Sequence, residues 1–295
     1  MGTTKGRTDR ARTVPRVGER NKTELATQTV PQRVAARLAL PLAGAGVIVT
    51  RPAGTAAGLL LRLQRLGADT VTLPGLSLRS APDPAAARAA LRTALQGDGL
   101  VFVSPAAVKF AWKLLPALRL PARLRLAAVG AATARALRAR GAREVIVPRG
   151  SQDSEGLLAE AALRGVRGQR WGLVAAAGGR DLLAAGLRRR GARVVPVEVY
   201  QRAAPRWNRL HYARLETAPR PLIVLISSAQ ALAHLATLLP PGLVLALREA
   251  DFVLSSERLA ALAREHGFTR VHVAKSALSA DLVQAAEAAL ACHRL

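Results

Sequence analysis

One local pattern occurs twice in this chain and constrains its fold more than any other feature. Residues 100–115 read LVFVSPAAVKFAWKLL, and residues 222–239 read LIVLISSAQALAHLATLL. Each copy starts with a short apolar run that is typical of a strand buried on both faces. Each then turns at a small hydroxyl residue and continues with an apolar period near 3.6, which predicts a helix. Two such units predict an α/β fold with parallel sheets.

The turns of these two units are predicted to cap helices. Pro105 suits a first helical position, because its fixed φ fits there and its missing N–H would have no partner. Ser104 is then the predicted N-cap, and Ser227 is predicted to be its counterpart in the second unit. A helix that starts at the carboxyl edge of a parallel sheet directs free N–H groups at that edge, where small anions bind. Two such edges predict two lobes that face one ligand.

The order of elements restarts in the second half of the chain. Strand and helix patterns alternate from residue 47, and a new series begins with a predicted strand at residues 171–175. Three pairs of landmarks recur at intervals of 124, 123 and 126 residues: Gly67 with Gly191, Ser104 with Ser227, and Gly141 with Gly267. The glycines are predicted to end helices in the left-handed conformation. The recurrence indicates an ancient duplication that gave two similar parallel α/β lobes.

The charge of the chain suggests an acidic ligand but not a nucleic acid. The net charge is +25, and only five of the 44 basic residues are lysines, a bias that a GC-rich genome would also produce. A positive surface attracts acidic partners. With 3% aromatic residues, the chain is poorly equipped to stack on single-stranded nucleic acid. It shows no apolar run of about 18 residues, so we expect no membrane span.

The first 42 residues are expected to be a flexible basic extension. They carry nine Lys or Arg against three Asp or Glu and show no sustained apolar period. An Arg- and Thr-rich start resembles a transit peptide, although Asp9, Glu19 and Glu24 argue against one. A start codon assigned too far upstream explains the segment equally well.

Metal, nucleotide and nucleophile signatures are missing from the sequence. The five histidines lack ligand spacing, and Cys292 is the single cysteine, which excludes a disulfide framework and is compatible with a reducing compartment. No G-x-S-x-G motif surrounds Ser104, Ser227 or Ser228. The turn Gly178-Gly179-Arg180 matches neither a dinucleotide fingerprint nor a Walker loop. It offers N–H groups to an anion, or it is a plain tight turn.

Polar residues also follow other predicted strands. Thr50-Arg51-Pro52 ends the first strand, residues 130–133 follow another, and Ser255, Ser256 and Arg258 hold the corresponding place in the second half. A single Ser or Thr at such a position is usually an ordinary helix cap. Their recurrence at many strand ends predicts a ligand cleft lined by amides and hydroxyls.

The chain resembles the uroporphyrinogen-III synthase family from about residue 47 to residue 289. Each supporting motif is short, but their order along the chain is fairly specific. The motifs are VTRP (49–52), FVSPAAV (102–108), AVGAATARAL (128–137), SEGLL (154–158), GGR (178–180), VEVYQR (197–202), ISS (226–228), SSERLA (255–260) and GF (267–268).

The resemblance implies a cofactor-free enzyme that closes hydroxymethylbilane into uroporphyrinogen III, with loss of water and inversion of ring D. It also implies two α/β lobes joined by two extended strands, with the active site in the cleft between them. One lobe would contain residues 43–76 and 202–291, and the other residues 77–199. The chain would cross between them near residues 74–78 and 197–202.

The resemblance places the site at the strand ends. Tyr200 in VEVYQR is the candidate proton donor to the departing hydroxyl, or else a hinge tyrosine that only packs. Ala106 stands where a polar residue is usual, and Ala131-Ala132 precede Thr133 in a turn that is usually richer in hydroxyls. The predicted substrate-binding residues are Thr50, Arg51, Pro52, Ser104, Pro105, Ala106, Gly130, Thr133, Gly178, Gly179, Arg180, Ser227, Ser228, Ser255, Ser256 and Arg258.

The expected partner is a polycarboxylate small molecule, hydroxymethylbilane, with no metal, no nucleic acid and no membrane. The protein is expected to be a cytoplasmic monomer, with handover from the preceding pathway enzyme as one route of substrate delivery. The main alternative is a non-catalytic polycarboxylate-binding or regulatory protein of the same architecture, which would not depend on Tyr200.

Overall fold

The structure is a computed structural model that describes residues 40–179 and 182–293. The described chain contains ten strands, numbered in chain order. They are β1 (Gly46–Val49), β2 (Asp69–Thr72), β3 (Ser77–Ser80), β4 (Gly99–Phe102), β5 (Arg125–Ala128), β6 (Arg170–Ala176), β7 (Arg193–Ala203), β8 (Leu222–Ile226), β9 (Asp251–Leu254) and β10 (Val271–Val273).

Helices separate most of these strands, and a 3-10 turn lies at Ala161–Leu163. The α-helices are α1 (Ala57–Arg65), α2 (Pro84–Leu95), α3 (Pro105–Leu114), α4 (Ala131–Arg138), α5 (Ser154–Ala159), α6 (Leu182–Arg189), α7 (Arg209–Glu216), α8 (Ala229–Leu238), α9 (Pro241–Arg248), α10 (Glu257–Glu265) and α11 (Ser279–Ala291). No helix in residues 40–179 or 182–293 is long and apolar enough to cross a membrane.

The strands form two five-stranded sheets. The first has the order β2–β1–β8–β9–β10, and all its neighbouring strands are parallel. The second has the order β5–β4–β6–β7–β3, in which β3 alone is antiparallel to its neighbour. The predicted class, α/β with two parallel-sheet lobes, is confirmed.

Apolar side chains cover both faces of each sheet. Helices α7 to α10 pack on one face of the first sheet, and α1 and α11 pack on the other. In the second sheet, α2, α3 and α4 lie on one face and α5 and α6 on the other. Every residue of β4 and β8 is buried, as the two repeated units predicted.

The strand order corrects the interpretation of the repeated interval. Among the parallel strands of its own sheet, β4 comes first along the chain, whereas β8 comes third. Ser104 and Ser227, which follow these strands, therefore do not hold equivalent places. By spatial order, β1 corresponds to β4 and β8 corresponds to β6. The two lobes are similar. However, shifting the sequence by about 124 residues does not bring each strand onto the strand at the equivalent place in the other sheet.

Two chain segments connect the sheets. The first runs from β2 to β3, and the second runs from β7 towards α7. Trp207 Nε1 in the second segment donates to the carbonyl of Pro74 in the first, at 2.9 Å. His234 Nδ1 lies 2.7 Å from the carbonyl of Gly75. A Cβ placed on Gly75 would lie 2.4 Å from Ala231 Cβ, so only glycine fits where this connection crosses α8.

The beginning of the described chain is already part of the core. Leu42 has no exposed surface, and its N–H donates to the carbonyl of Leu66 at 2.9 Å. The predicted extension over residues 1–42 therefore includes one residue that is packed against the first sheet. Its residues 1–39 lie outside the described residues.

Candidate active site

The predicted site residues lie at one edge of each sheet. In the first sheet they follow β1, β8 and β9, which are neighbouring parallel strands. In the second sheet they follow β4, β5 and β6, and Tyr200 lies near the carboxyl end of β7. Because the carboxyl ends of parallel strands share an edge, the structure gathers the predicted residues into two groups.

The two groups approach each other where the loop after β1 meets α3. Gly54 lies in the loop after β1, and Lys109 lies on α3, which follows β4. A Cβ placed on Gly54 would be 3.8 Å from Lys109 Nζ. The loop at the carboxyl edge of the first sheet therefore lies close to the helix that starts at the carboxyl edge of the second.

Ser104 and Tyr200 form a hydroxyl pair at the second edge. Ser104 is the N-cap of α3, and its Oγ accepts the N–H of Ala107 at 3.1 Å. The Tyr200 hydroxyl lies 3.2 Å from the same Oγ, and either hydroxyl can donate to the other. The Tyr200 side chain is 2% exposed, and its ring stacks on Phe110 with centroids 5.3 Å apart. Ser104 is half-buried, so it is the more accessible member of the pair.

The predicted N-cap at Ser227 is wrong, because the cap of α8 is Ser228. Its Oγ accepts the N–H of Ala231 at 3.4 Å. Ser256 caps α10 in the same way through the N–H of Leu259. In each pair the second serine holds the cap, so the first serine, Ser227 or Ser255, does not supply it.

Two predicted residues after β1 are used inside the first lobe. Thr50 is buried, and its hydroxyl donates to the carbonyl of Leu225 at 2.7 Å, between neighbouring strands. The Arg51 guanidinium donates to the carbonyl of Ala277 at 2.7 Å and to Ser279 Oγ at 3.1 Å. Burial lowers the pKa of Arg51 below its ordinary value. Arg51 thus fixes the loop between β10 and α11 at the carboxyl edge of the first sheet. Pro52, the next residue, is half-buried.

The turn after β5 is closed by a residue that sequence reasoning missed. Gln152 Oε1 accepts the N–H of Ala131 at 3.0 Å, at the start of α4. A Cβ placed on Gly130 would lie 3.0 Å from the same oxygen. Thr133 is buried. No sequence signal connected Gln152 to this turn, because the two segments meet only through the fold.

The N–H groups of the glycine turn after β6 are also hydrogen-bonded within the protein. Gly178 has a φ of +64°, as a tight turn requires, and its N–H donates to Glu198 Oε1 at 3.3 Å. The N–H of Gly179 donates to the carbonyl of Ala176. A carboxylate beside the turn disfavours a second carboxylate there. Arg180 lies outside the described residues.

Two histidines, one acid and one arginine form a cluster at the other end of the first sheet. Asp251 is buried at the amino end of β9 and accepts hydrogen bonds from His272 Nε2 at 2.8 Å and His293 Nε2 at 2.5 Å. Arg270 lies 3.3 Å away. Burial raises the pKa of Asp251, but the bonds from His293 and His272 and the charge of Arg270 outweigh burial and leave the pKa lowered. Among the described residues, no group of three or more His, Cys, Asp or Glu could hold a metal ion.

Comparison with known proteins identifies the family to which this architecture belongs. The sequence model of uroporphyrinogen-III synthase HemD matches residues 58–284. The uroporphyrinogen-III synthase of Escherichia coli (strain K12) is 31% identical over 252 residues, which cover 81% of this chain and 98% of that protein. The chain belongs to the uroporphyrinogen-III synthase family. The enzyme of Salmonella typhimurium (strain LT2) is 30% identical, with the same coverage.

Solved structures of the family share the fold. Uroporphyrinogen-III synthetase from Helicobacter pylori 26695 matches with a TM-score of 0.55 and 14% identity, over 82% of this chain and 98% of that one. A mutant uroporphyrinogen III synthase from the extremely thermophilic bacterium Thermus thermophilus matches with a TM-score of 0.51 and 22% identity, over 83% and 98%. At these identities the matches concern the fold alone.

Proposed function

We propose that this chain closes hydroxymethylbilane into uroporphyrinogen III, with loss of water and inversion of ring D. One observation carries the proposal: the chain is related over nearly the full length of synthases that bear this name. Ring closure with loss of water is neither an oxidation nor a reduction. The proposed reaction therefore needs no redox cofactor.

The proposed binding site is the cleft between the two carboxyl edges. The substrate carries eight carboxylates, which bind helix N-termini, hydroxyls and cations without a buried catalytic charge. Half-buried or exposed candidates at these edges support the proposal, whereas Thr50 and Thr133 are buried and the guanidinium of Arg51 is bonded within the first lobe. The candidates that remain accessible are Pro52, Ser104, Pro105, Ala106, Gly130, Ser227, Ser228, Ser255, Ser256 and Arg258. Gly178 and Gly179 are exposed too, but Glu198 beside them makes their turn a poor site for a carboxylate.

The main catalytic task in this proposal is orientation. Spontaneous closure competes and gives the unrearranged isomer, so the cleft must present the substituted carbon of ring D for attack through a spiro intermediate. Holding reacting groups in such a geometry removes much of an entropic barrier. Two edges that hold carboxylates at opposite ends of the bilane can supply that constraint.

A proton or hydrogen bond to the departing hydroxyl is assigned to the Ser104–Tyr200 pair. If Tyr200 donates to Ser104 Oγ, the hydroxyl proton of Ser104 is free to point into the cleft. As the C–O bond of the hydroxymethyl group breaks, Ser104 gives this proton to the leaving oxygen, which departs as water, and Tyr200 gives its own proton to Ser104. The proton that the substrate releases on ring closure then returns to Tyr200. Tyr200 then acts through Ser104, because its own side chain is buried. Such assistance contributes roughly 10²–10⁴-fold.

The proposal also includes the division into lobes, the delivery of the substrate and the location of the protein. We assign residues 43–76 and 202–291 to one lobe and residues 77–199 to the other. The membership of the two sheets supports this division except at Arg202 and Ala203, which end β7 and pair with β3 in the second sheet. We propose a cytoplasmic monomer that takes its polycarboxylate substrate from solution or from the preceding pathway enzyme.

Isomer analysis tests the proposed activity. The purified protein is incubated with enzymatically generated hydroxymethylbilane, the product is oxidised, and the porphyrin isomers are separated. We expect the type III isomer, with no added metal or nucleotide and in the presence of a chelator. The type I isomer alone, formed at the spontaneous rate, would show that the protein only binds the bilane or does not recognise it.

A further inference from the structure

Lys109 is a cation of the cleft that the predicted site did not include. It lies on α3, five residues after the cap Ser104, and its side chain is exposed. Its ammonium makes no hydrogen bond or ion pair with any of the described residues. Its Nζ reaches the opposite lobe, since a Cβ on Gly54 would lie 3.8 Å away.

The surroundings of Lys109 leave its charge available to a ligand. Residues three and four positions apart share a helix face, so Pro105 and Ala106 lie beside Lys109 on one side and Trp112 and Lys113 on the other. None of these residues carries a negative charge that would compete with a ligand carboxylate. Gly54 opposite also has none, and its φ of +76° disfavours any other residue. The guanidinium of Arg51, three residues before Gly54, donates hydrogen bonds to Ala277 and Ser279 instead.

We propose that Lys109 binds one carboxylate of the substrate across the cleft and so helps to set the bilane's orientation. The inference rests on the proposed function. The ammonium of Lys109 attracts a carboxylate, whereas a neutral side chain at this position would not. Lys109 contributes from the second lobe, opposite the loop after β1. Substrate bound there contacts both lobes.

Lys109→Gln tests this role, because it keeps most of the length of the side chain and removes its charge. We expect KM for hydroxymethylbilane to rise about tenfold, with kcat changed less than about threefold, because a binding contact is lost and the leaving group is untouched. We expect Lys109→Arg to retain most of the affinity. The melting temperature should not change, since the ammonium has no partner among the described residues.

Lys113→Gln is the matched control. Lys113 lies one turn further along the same helix, and its Nζ stays 5.7 Å from the centroid of the Phe110 ring. This variant loses the same charge and should keep the wild-type KM. Salt weakens the attraction between the Lys109 ammonium and a carboxylate, and Lys109→Gln lacks that attraction. Raising the ionic strength should therefore increase KM less in Lys109→Gln than in the wild type or in the control.

The outcomes separate this inference from the proposed function. If the wild type forms the type III isomer but Lys109→Gln and Lys113→Gln show the same KM, Lys109 is not a substrate contact and the inference fails alone. A kcat loss in Lys109→Gln without a change in KM overturns it as well. If the wild type forms no type III isomer, the proposed function fails.

Discussion

At the scale of single residues, hydrogen bonds decide which predicted side chains can meet a ligand. Thr50 and Ser104 are both hydroxyl residues that closely follow a strand, and their local sequences look alike. Thr50 donates inward to Leu225, whereas Ser104 lies half-buried at the start of a helix. Sequence could predict a polar residue at each strand end. It could not predict the direction of the hydroxyl, because the bonding partner lies 175 residues away.

Tyr200→Phe tests the hydroxyl pair. The change keeps the ring on Phe110 and removes only the hydroxyl that meets Ser104. We expect kcat to fall about 10²-fold, the lower end of the general-acid range, because Tyr200 acts through Ser104 rather than on the substrate itself. KM should change little. The measurement is steady-state kinetics corrected for spontaneous closure.

Tyr212→Phe is the control for that variant. Tyr212 lies on α7 beside Leu215 and Leu243, in a groove that also reaches Leu222 at the amino end of β8. It is therefore at the end of the sheet away from the cleft, and its loss should leave kcat unchanged. A wild-type kcat in Tyr200→Phe would remove Tyr200 from the mechanism and leave orientation by the cleft as the source of catalysis.

At the scale of elements, apolar periodicity predicted the buried strands and their helices but missed elements held by tertiary contacts. Strand β3 reads SLRS and has no apolar run; it forms because the long strand β7 offers it a free edge. Helix α7 buries only Leu215, and α9 begins at Pro240-Pro241, which look like a turn. Residues 144–147 read EVIV, an apolar run typical of a strand, but they form only a single bridge, between Ile146 and Ala127.

The two serines before α8 provide a test at this scale. Ser228→Ala removes the side chain that accepts the N–H of Ala231, whereas Ser227→Ala leaves that bond intact. Loss of an N-cap costs about 1 kcal/mol, so we expect Ser228→Ala to lower the melting temperature by about 2–4 °C. Ser227→Ala should leave it nearly unchanged. Equal losses in the two variants, measured by thermal denaturation, would contradict the assignment of the cap.

At the scale of the whole molecule, the sequence predicted two similar lobes but not how they correspond. The recurring intervals give only positions along the chain, whereas the strand order of each sheet depends on how the chain folds. The first lobe takes strands from both ends of the described chain, so equal spacing relates the first strand of one sheet to the third of the other. The resemblance to a known family predicted a discontinuous lobe, whereas the spacing indicated only a duplication that gave two similar lobes.

Two truncations test where the folded chain begins. A protein that starts at Leu40 keeps the buried Leu42, whereas one that starts at Ala43 loses it. Burial of a leucine contributes about 1.5–3 kcal/mol, so the shorter protein should melt about 3–12 °C lower. The longer one should match the full chain in melting temperature and activity. A drop of several degrees for the protein starting at Leu40 would show that residues 1–39 pack on a lobe.

The central claim is that this cleft folds the bilane so that ring D is inverted before closure. The most direct measurement is the fraction of type III isomer as the protein concentration is raised against a fixed amount of hydroxymethylbilane. Because spontaneous closure competes at a constant rate, we expect a fraction that rises with protein and approaches complete conversion to type III. A product that stays type I at every protein concentration would show that the protein does not direct the closure of ring D.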